Sequence, residues 1–397
     1  MNNLDIHRRE KIYNRGLSLI ENSKQISRKN KDNIYAFVDK LQKQPNLSLS
    51  RINIYLFRLS VICKNIEKDL SQCNFNDVQN LIDKMRSGEM KKQNGEPYSK
   101  RSAENIAQTF KRYYNLMGNK RLAKKIKVHK IRTKIDAADV WTDKERKLLP
   151  SYSQNPMQRA FLGIMAECGT RCEEAGTLRL KDITILDNGH VKIFISRSKT
   201  VQRENFLIWS ATDLRLWYDM HPHRDSPDCP VFISPQKNEN GNHNCMSYNG
   251  LVKWLKEAAS NFIKNKPVHL HILRHTSITL DLRAGIPISI VSKKHGVSIS
   301  EIERTYSHLV SDDIYNEQLK VNGLTKKQEQ PTLNRCKSCG SVLAIGDECG
   351  ICKKMKQDQQ LHYERIKLEN EKLTEKILGI LAKHGVMSVS KNELPNI

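Results

Sequence analysis

The sequence predicts a multidomain protein that is mainly α with α+β: a helical domain, an α+β domain, a cysteine-rich segment and a charged terminal helix. Four stretches between residues 27 and 118 place apolar residues three and four positions apart, the period of amphipathic helices. Between residues 140 and 323, helical stretches mix with two alternating stretches around a polar turn, which is typical of a β-hairpin. A chain of 397 residues is long enough for two or three such domains.

These patterns divide the chain into consecutive segments. They are an N-terminal extension (1–26), a helical domain (27–118), a basic linker (119–139), an α+β domain (140–323), a polar linker (324–335), a cysteine-rich segment (336–353) and a helical tail (354–386). The basic linker has many Lys and Arg residues but no clear apolar period, so we expect it to face solvent or a phosphate backbone.

The charge balance favours a polyanionic partner. Lysine and arginine total 67 against 43 acidic residues, a formal net charge of +24, and binding to nucleic-acid phosphates would release counterions. An anionic membrane surface is the alternative, but no basic amphipathic helix stands out. No apolar run has bilayer-spanning length, and the first residues have no apolar signal-peptide core, so we expect a cytoplasmic, nucleoid-associated protein.

Helices are predicted in the first domain over "NIYAFVDKLQ", "SRINIYLFRLSVICKNI", "FNDVQNLIDKM" and "SAENIAQTFKRYYNLM". In the second domain, Thr142 followed by Glu145 predicts a capping box. "MQRAFLGIMAECG" then predicts a strongly apolar helix, "HVKIFISRSKTVQRENFLIW" a hairpin, and "LVKWLKEAASNFIK" a further helix.

The stretch "HILRHTSITL" predicts an anion site. His271 and Arg274 lie one helical turn apart on an otherwise apolar helix, and buried cations are costly unless an anion meets them. Arg171 is a second candidate because it follows a Gly-Thr turn at the end of an apolar helix. Glu174, three residues later, can hold its guanidinium, although an exposed helix-start ion pair would look the same in sequence.

Lys199 and Tyr306 complete a set suited to phosphoryl transfer without a metal. Lys199 lies in the polar turn of the hairpin, and Tyr306 is flanked by polar residues in "ISEIERTYSHL". A phenol with a pKa near 10 attacks phosphorus only when cations stabilise the developing charge. Arg171 and Arg274 would clamp the non-bridging oxygens, Lys199 would protonate the departing 5′-oxygen, and His271 would exchange the proton of Tyr306. The phosphotyrosine bond would keep the energy of the broken linkage, so ATP is not required.

In this order the residues resemble the tyrosine recombinase (phage integrase) family. "GTRCEEAGTLRLKDI" is similar to its first arginine block, "HILRHTSITLDLRAGIPISIV" to its H-x-L-R-H block, and "KKHGVSISEIERTYSHL" to the block that ends in the nucleophile. The helical domain resembles the family's core-binding domain, so the resemblance covers roughly residues 27–323. More narrowly, "WYDMHPHRDSPDCPVFISPQ" and the cysteine-rich tail are similar to archaeal integrases that end in a zinc ribbon, which implies a mobile-element enzyme.

The resemblance implies a clamp of two domains around double-stranded DNA. It also implies a tetramer that exchanges strands through 3′-phosphotyrosine links. One position departs from the family pattern: Val297 follows Gly296, where the family usually has His or Trp bonded to the phosphate. His295 or His308 is expected to substitute for that donor. Tyr315 is a rival nucleophile that lies past the motif.

The cysteines predict a structural metal site. Six of the ten are scattered, but Cys336, Cys339, Cys349 and Cys352 form two CxxC pairs separated by nine residues. Four thiolates at this spacing suit tetrahedral Zn²⁺, and the segment has too few apolar residues to fold unaided. Redox-active thiols are the alternative, but two CxxC pairs close together favour a metal site.

The terminal helix carries a coiled-coil seam. Its apolar and seam positions alternate spacings of three and four; they are Tyr363, Ile366, Asn370, Leu373, Ile377 and Ile380. Asn at a seam position often selects a dimer, so we expect self-association through this helix, with packing on its own chain as the alternative.

Three functions fit the sequence. The first is a site-specific recombinase, and the second is a monomeric enzyme like a type IB topoisomerase. The third is a catalytically weak DNA-binding protein of the same fold, which only Val297 supports.

Overall fold

The structure is a computed structural model that describes residues 4–131, 135–198, 201–237, 241–310, 319, 322 and 333–383. The chain divides into two compact units, Met1–Lys134 and Ile135–Ile397. None of the described helices is long and apolar enough to cross a lipid bilayer.

The first unit is helical. Its helices are α1 (Arg9–Glu21), α2 (Arg28–Gln42), α3 (Leu49–Asn65), α4 (Phe75–Ser87), α5 (Lys100–Met117) and α6 (Lys120–Lys125). Their apolar faces meet in one core, in which Phe37 lies between Tyr55 and Tyr113 at ring-centroid distances of 5.8 and 5.3 Å. Helices α2 to α5 confirm the four amphipathic stretches predicted from the apolar period.

The first unit extends beyond the predicted helical domain at both ends. Helix α1, in the predicted extension, packs on α3, and its Ile20 is part of the core. In the predicted linker, α6 and the residue after it bury Leu122, Ala123 and Ile126 in the same core. His129 is also attached to this unit, because its backbone N–H donates to buried Glu104 at 2.7 Å. Leu122 and Ile126 have helical spacing, but the many Lys and Arg residues around them suggested a solvated linker.

The second unit mixes helices with short strands. Its helices are α7 (Asp143–Leu148), α8 (Pro156–Cys168), α9 (Cys172–Gly176), α10 (Ala211–Asp219), α11 (Tyr248–Ala259), α12 (Leu270–Arg283), α13 (Ile288–His295), α14 (Ile299–Val310) and α15 (Gly350–Lys383). Its strands are β1 (Ile183–Ile185), β2 (Val191–Ile195), β3 (Arg203–Leu207), β4 (Ile233–Lys237) and β5 (His243–Cys245).

Helix α8 forms the centre of this unit. It packs on α10 and α12, and it buries even its charged residues, Arg159 and Glu167. Arg159 pairs with Asp213 of α10 at 2.9 Å, and the carboxylate of Glu167 accepts three backbone N–H groups at the start of α10. Upstream, Thr142 and Glu145 form the predicted capping box. These contacts fix the end of α8, where the candidate site begins.

The predicted hairpin is the β2–β3 pair of a three-stranded antiparallel sheet with order β1-β2-β3. Its register pairs Val191 with Leu207 and Ile195 with Arg203. Side chains alternate between buried and outward positions, and one of the inward positions of β3 is Arg203. An arginine on the buried face of a sheet needs an anionic partner, and that partner belongs to the candidate site.

Candidate active site

Arg171 stands at the turn between α8 and α9. Gly169 ends α8 with a positive φ of 56°, and a Cβ there would come within 2.7 Å of the Ser277 side chain and 2.9 Å of the His295 ring. Only glycine therefore permits this close turn. Arg171 then donates to Glu174 at 2.9 Å and to the carbonyl of Gly296 at 3.1 Å. The predicted Arg171–Glu174 pair is present and ties α9 to the end of α13.

Glu174 is the anion that Arg203 requires. The Arg203 guanidinium donates to both carboxylate oxygens, at 2.7 and 3.2 Å, and its Nε donates to the carbonyl of Lys294 at 2.9 Å. Burial alone would raise the pKa of Glu174, but the ion pair with Arg203 and the N–H of Arg171 outweigh it and lower that pKa to about 2. Ser198 in the hairpin turn also donates to Glu174, at 2.9 Å. The Glu174 carboxylate thus joins α9 to the hairpin, and Arg203 extends this link to α13.

Arg274 enters the same region from α12. It is 4% exposed, and its Nη1 donates to the carbonyl of Gly169 at 3.0 Å. Burial, and next the charge of Arg171, lower the pKa of Arg274 to about 10. Two guanidinium groups, those of Arg171 and Arg274, therefore meet at the turn after α8.

Tyr306 of α14 is buried, with 3% of its surface exposed, among the apolar side chains Ile278, Val291, Val297 and Ile302. Its hydroxyl lies 2.6 Å from Nδ1 of His275. Burial raises the pKa of the phenol, and the nearby charge of Arg274 opposes that rise. His271 was predicted from the sequence to exchange the proton of Tyr306. His271 is exposed, and its ring contacts His275 at a centroid distance of 4.4 Å rather than the tyrosine.

His295 lies against the turn at Gly169. It is fully buried, and its Nε2 is 2.7 Å from a carboxylate oxygen of Asp281, which also accepts from Lys294. Burial lowers the pKa of His295 to about 4 against the opposing effect of Asp281, so the ring is neutral near pH 7. In the described part of the chain, its Nδ1 has no hydrogen-bond partner. This placement supports the turn at Gly169, and Val297 is buried in the core beside it.

Three residues that the sequence singled out have no described side chain. Lys199 and Tyr315 lie outside the described residues, as does the side chain of His308. The hairpin strands that flank Lys199 are described, and they end at Ile195 and begin again at Arg203.

Sequence reasoning missed Arg203 and His275. Arg203 occupies an inward position in the alternating pattern of the second hairpin strand, and this position could have indicated a buried arginine. The signal for His275 was the second His of the H-x-L-R-H stretch.

The four tail cysteines converge as predicted. The sulfur atoms of Cys336, Cys339, Cys349 and Cys352 all lie within 4.8 Å of one another, and Sγ of Cys339 is 3.8 Å from Sγ of Cys349. Tetrahedral zinc with Zn–S bonds of about 2.3 Å separates its sulfurs by about 3.8 Å, so this set fits the ion. Backbone N–H groups donate to two of the sulfurs, from Cys349 to Cys336 and from Cys352 to Cys349. The residues that would hold zinc are therefore brought together with thiolate-stabilising donors.

The cysteine-rich segment also contacts the rest of the second unit. Helix α15 begins at Gly350 rather than at residue 354, so Cys352 lies in its first turn. Leu216 of α10 packs against the cysteine cluster, and a Cβ at Gly350 would collide with Gln154. Beyond this first turn, the seam residues of α15 are exposed in the described structure.

Comparison with known proteins identifies the domain that contains this site. A model of the phage integrase family matches residues 142–312. This matched segment is similar to phage integrase domains and is called the integrase domain below. It begins at the N-cap of α7 and includes Arg171, Arg274 and Tyr306, in agreement with the tyrosine recombinase resemblance of the sequence motifs.

Among curated proteins, the chain is similar to the tyrosine recombinase XerA of Saccharolobus solfataricus. The two are 24% identical over 174 residues, 44% of this chain and 53% of that protein, so the match spans about half of the relative's length.

Among solved structures, the chain resembles the XerH site-specific recombinase bound to difH substrate in a pre-cleavage complex, at 17% identity and a TM-score of 0.51. That likeness covers 79% of this chain and 96% of the XerH chain. A post-cleavage XerH complex with palindromic difH gives 16% identity, a TM-score of 0.50 and coverage of 80% and 98%. Likeness at this identity establishes the fold of the integrase domain, mainly helical with small sheets.

Glu174→Gln tests the buried ion cluster of the integrase domain. We expect it to lower the free energy of unfolding by about 3 kcal/mol at pH 7, because Arg203 would lose its buried counter-ion. The folded-state pKa of Glu174 is depressed from 4.5 to about 2, so its stabilisation is present above pH 4.5 and is lost as pH falls towards 2. The variant should therefore lose less stability than the wild type over that acidic range.

Urea unfolding followed by tryptophan fluorescence measures this effect, because all four tryptophans lie in the second unit. Glu173→Gln is the matched control, since Glu173 is the exposed neighbour of Glu174 on the same helix. Equal unfolding free energies for the two variants would contradict a structural role for Glu174.

Proposed function

We propose that this protein is a site-specific DNA recombinase that cleaves and rejoins DNA through a 3′-phosphotyrosine intermediate. The observation that carries the proposal is the convergence of Arg171 and Arg274 on one turn of an integrase domain, with the charge of Arg274 acting on buried Tyr306. Two like charges in one region are stabilised when an anion binds between them. A phosphodiester matches the planar fork of arginine.

The proposed reaction needs neither ATP nor a catalytic metal. Oη of Tyr306 gives up its proton to a histidine of α12 and attacks phosphorus, and the bond from phosphorus to the 5′-oxygen breaks. Arg171 and Arg274 stabilise the charge that grows on the non-bridging oxygens. Lys199 supplies the proton to the departing 5′-oxygen, and attack by a 5′-hydroxyl of another strand reverses the step.

Double-stranded DNA is the proposed substrate, consistent with a net charge of +24. Recombination requires two sites, so the active form is proposed to be a multimer, a tetramer in the synapse. The exposed seam of α15 supports self-association with a second copy of the chain, because its three-and-four spacing is that of a coiled coil. Zinc in the cysteine cluster has a structural role in this proposal.

One observation favours a second candidate, a DNA-binding protein with slow chemistry. The residue after Gly296 is buried Val297, and the neighbouring His295 is fully buried with its Nε2 bonded to Asp281. Loss of one donor to the transition state costs about 3 to 4 kcal/mol, which would slow cleavage without abolishing DNA binding.

The experiment that tests the proposal is covalent capture. The full chain is incubated with nicked duplex oligonucleotides tiled across the DNA that flanks its own gene, and adducts are separated under denaturing conditions. A nick beside the cleaved bond releases a short fragment and traps the phosphotyrosine. We expect an adduct on one or a few duplexes, and its complete loss in Tyr306→Phe, since phenylalanine has no oxygen to attack phosphorus.

Tyr218→Phe is the matched control, because Tyr218 is half-buried in the same unit but belongs to α10. Sequence-specific binding without any adduct would favour the second candidate. An adduct that leads to plasmid relaxation, without strand exchange between two sites, would favour a topoisomerase. An adduct that survives in Tyr306→Phe would assign the nucleophile to another residue.

A further inference from the structure

His275 stands between an exposed histidine and the buried tyrosine. Its Nδ1 is 2.6 Å from the hydroxyl of Tyr306, and the two ring centroids are 5.8 Å apart. On its other side the ring meets His271 in an edge-to-face contact at 4.4 Å. His275 follows Arg274 directly in α12, so the helix that presents the phosphate clamp also presents this imidazole.

The hydrogen bond defines what this imidazole can do. A neutral phenol can donate or accept, and the arrangement that suits proton transfer has the hydroxyl donating to Nδ1 with the ring proton on Nε2. Burial, followed by the charges of His271, His269 and Arg274, lowers the pKa of His275 to about 3. The ring is therefore neutral near pH 7, with an unprotonated nitrogen directed at the hydroxyl.

We propose that His275 is the catalytic base that accepts the proton of Tyr306, an assignment that rests on the proposed recombinase function. When Oη forms its bond to phosphorus, its proton moves to Nδ1 and the bond from phosphorus to the 5′-oxygen breaks. The imidazolium returns the same proton to Oη when a 5′-hydroxyl attacks the phosphotyrosine. No oxidant, metal or further reactant is required for this cycle.

The surrounding charges make this proton transfer depend on DNA. Without DNA the phenol holds its proton, because burial disfavours both phenolate and imidazolium and Arg274 further disfavours the imidazolium. A phosphodiester bound at Arg171 and Arg274 adds negative charge beside His275, which offsets those cations and stabilises the imidazolium. The base becomes competent when the substrate arrives, and the resting tyrosine stays unreactive.

His275→Asn and His275→Ala test the assignment, with His271→Asn as the matched variant on the same helix. Asparagine keeps an acceptor near the position of Nδ1 but cannot take up a proton. Using a duplex found by covalent capture, we expect single-turnover cleavage to fall by about 10²- to 10³-fold in both His275 variants. Added imidazole should accelerate His275→Ala but not His271→Asn. DNA binding by anisotropy and thermal unfolding report whether each variant remains folded.

A substrate with sulfur in place of the 5′-bridging oxygen separates the two proton transfers. Sulfur leaves without a proton, so it should rescue Lys199→Ala and leave the His275 defect in place. Rescue of the His275 variants by sulfur would overturn the proposal, as would wild-type cleavage by His275→Asn. If added imidazole accelerated cleavage only in His271→Asn, the role of catalytic base would belong to His271. Failure of the wild type to form any adduct would instead overturn the proposed function itself.

A spectroscopic measurement covers the case in which His275 variants do not fold. In the wild-type chain labelled with ¹⁵N-histidine, the His275 Nδ1 resonance is the acceptor-type signal that shifts in Tyr306→Phe. Vanadate with the two cleaved DNA halves imitates the phosphorane. We expect this nitrogen to become protonated in that complex and to remain unprotonated with DNA alone. An unprotonated Nδ1 in the vanadate complex would contradict the proposal.

Discussion

Arg274→Lys is expected to slow covalent capture of DNA by about 10²- to 10³-fold, a loss of about 3 to 4 kcal/mol of transition-state stabilisation. One nitrogen of the Arg274 guanidinium donates to the carbonyl of Gly169, and this hydrogen bond orients the remaining N–H groups. An ammonium cannot make that contact and a bidentate phosphate contact together. The site also lowers the pKa of the arginine to about 10, so a lysine there, with a lower intrinsic pKa, loses part of its charge.

The measurement is the single-turnover rate of adduct formation, with non-covalent binding of the same duplex measured in Tyr306→Phe backgrounds. Binding should change little, because many phosphate contacts contribute to affinity and one is altered. Arg283→Lys is the matched control, an exposed arginine near the end of the same helix. If both lysine variants cleave at the same rate, Arg274 does not contact the reacting phosphate.

Local patterns in the sequence were sufficient to predict much of this fold. The apolar period located α2 to α5, the Thr142–Glu145 pair located the start of α7, and alternation located the β2–β3 hairpin. The Arg171–Glu174 contact was also predicted, because side chains three positions apart lie on the same side of one helical turn. Each of these features is determined within a few residues, where spacing translates directly into geometry.

Contacts between distant segments were not predictable in the same way. Glu174 and Arg203 are 29 positions apart, and alternation alone would not make an arginine an inward residue of β3. His275 and Tyr306 are 31 positions apart, and their contact depends on how α12 and α14 pack. The H-x-x-R spacing directs attention to His271, whereas the next turn of the same helix carries the histidine that touches the tyrosine.

Cys336→Ser is expected to abolish tight metal binding and to unfold the cysteine-rich segment while the integrase domain stays folded. Apart from the cysteines, the core of this segment contains Leu343 and Ile351. That burial is too small to order the loop, whereas structural zinc contributes about 10 to 16 kcal/mol to such sites. Cobalt titration of the metal-free chain should give thiolate charge-transfer absorption in the wild type and none in the variant. Tryptophan fluorescence should give the same unfolding transition for both.

Cys229→Ser is the control, because this half-buried cysteine lies in the same unit outside the cluster. An unchanged cobalt spectrum in Cys336→Ser would contradict a four-thiolate site.

The start of α15 should depend on the metal because of where that helix begins. Its first turn lies inside the cluster, and Leu216 and Gln154 contact the cluster from the integrase domain. Metal removal should therefore release the start of α15, and limited proteolysis should cleave there before it cleaves within the integrase domain.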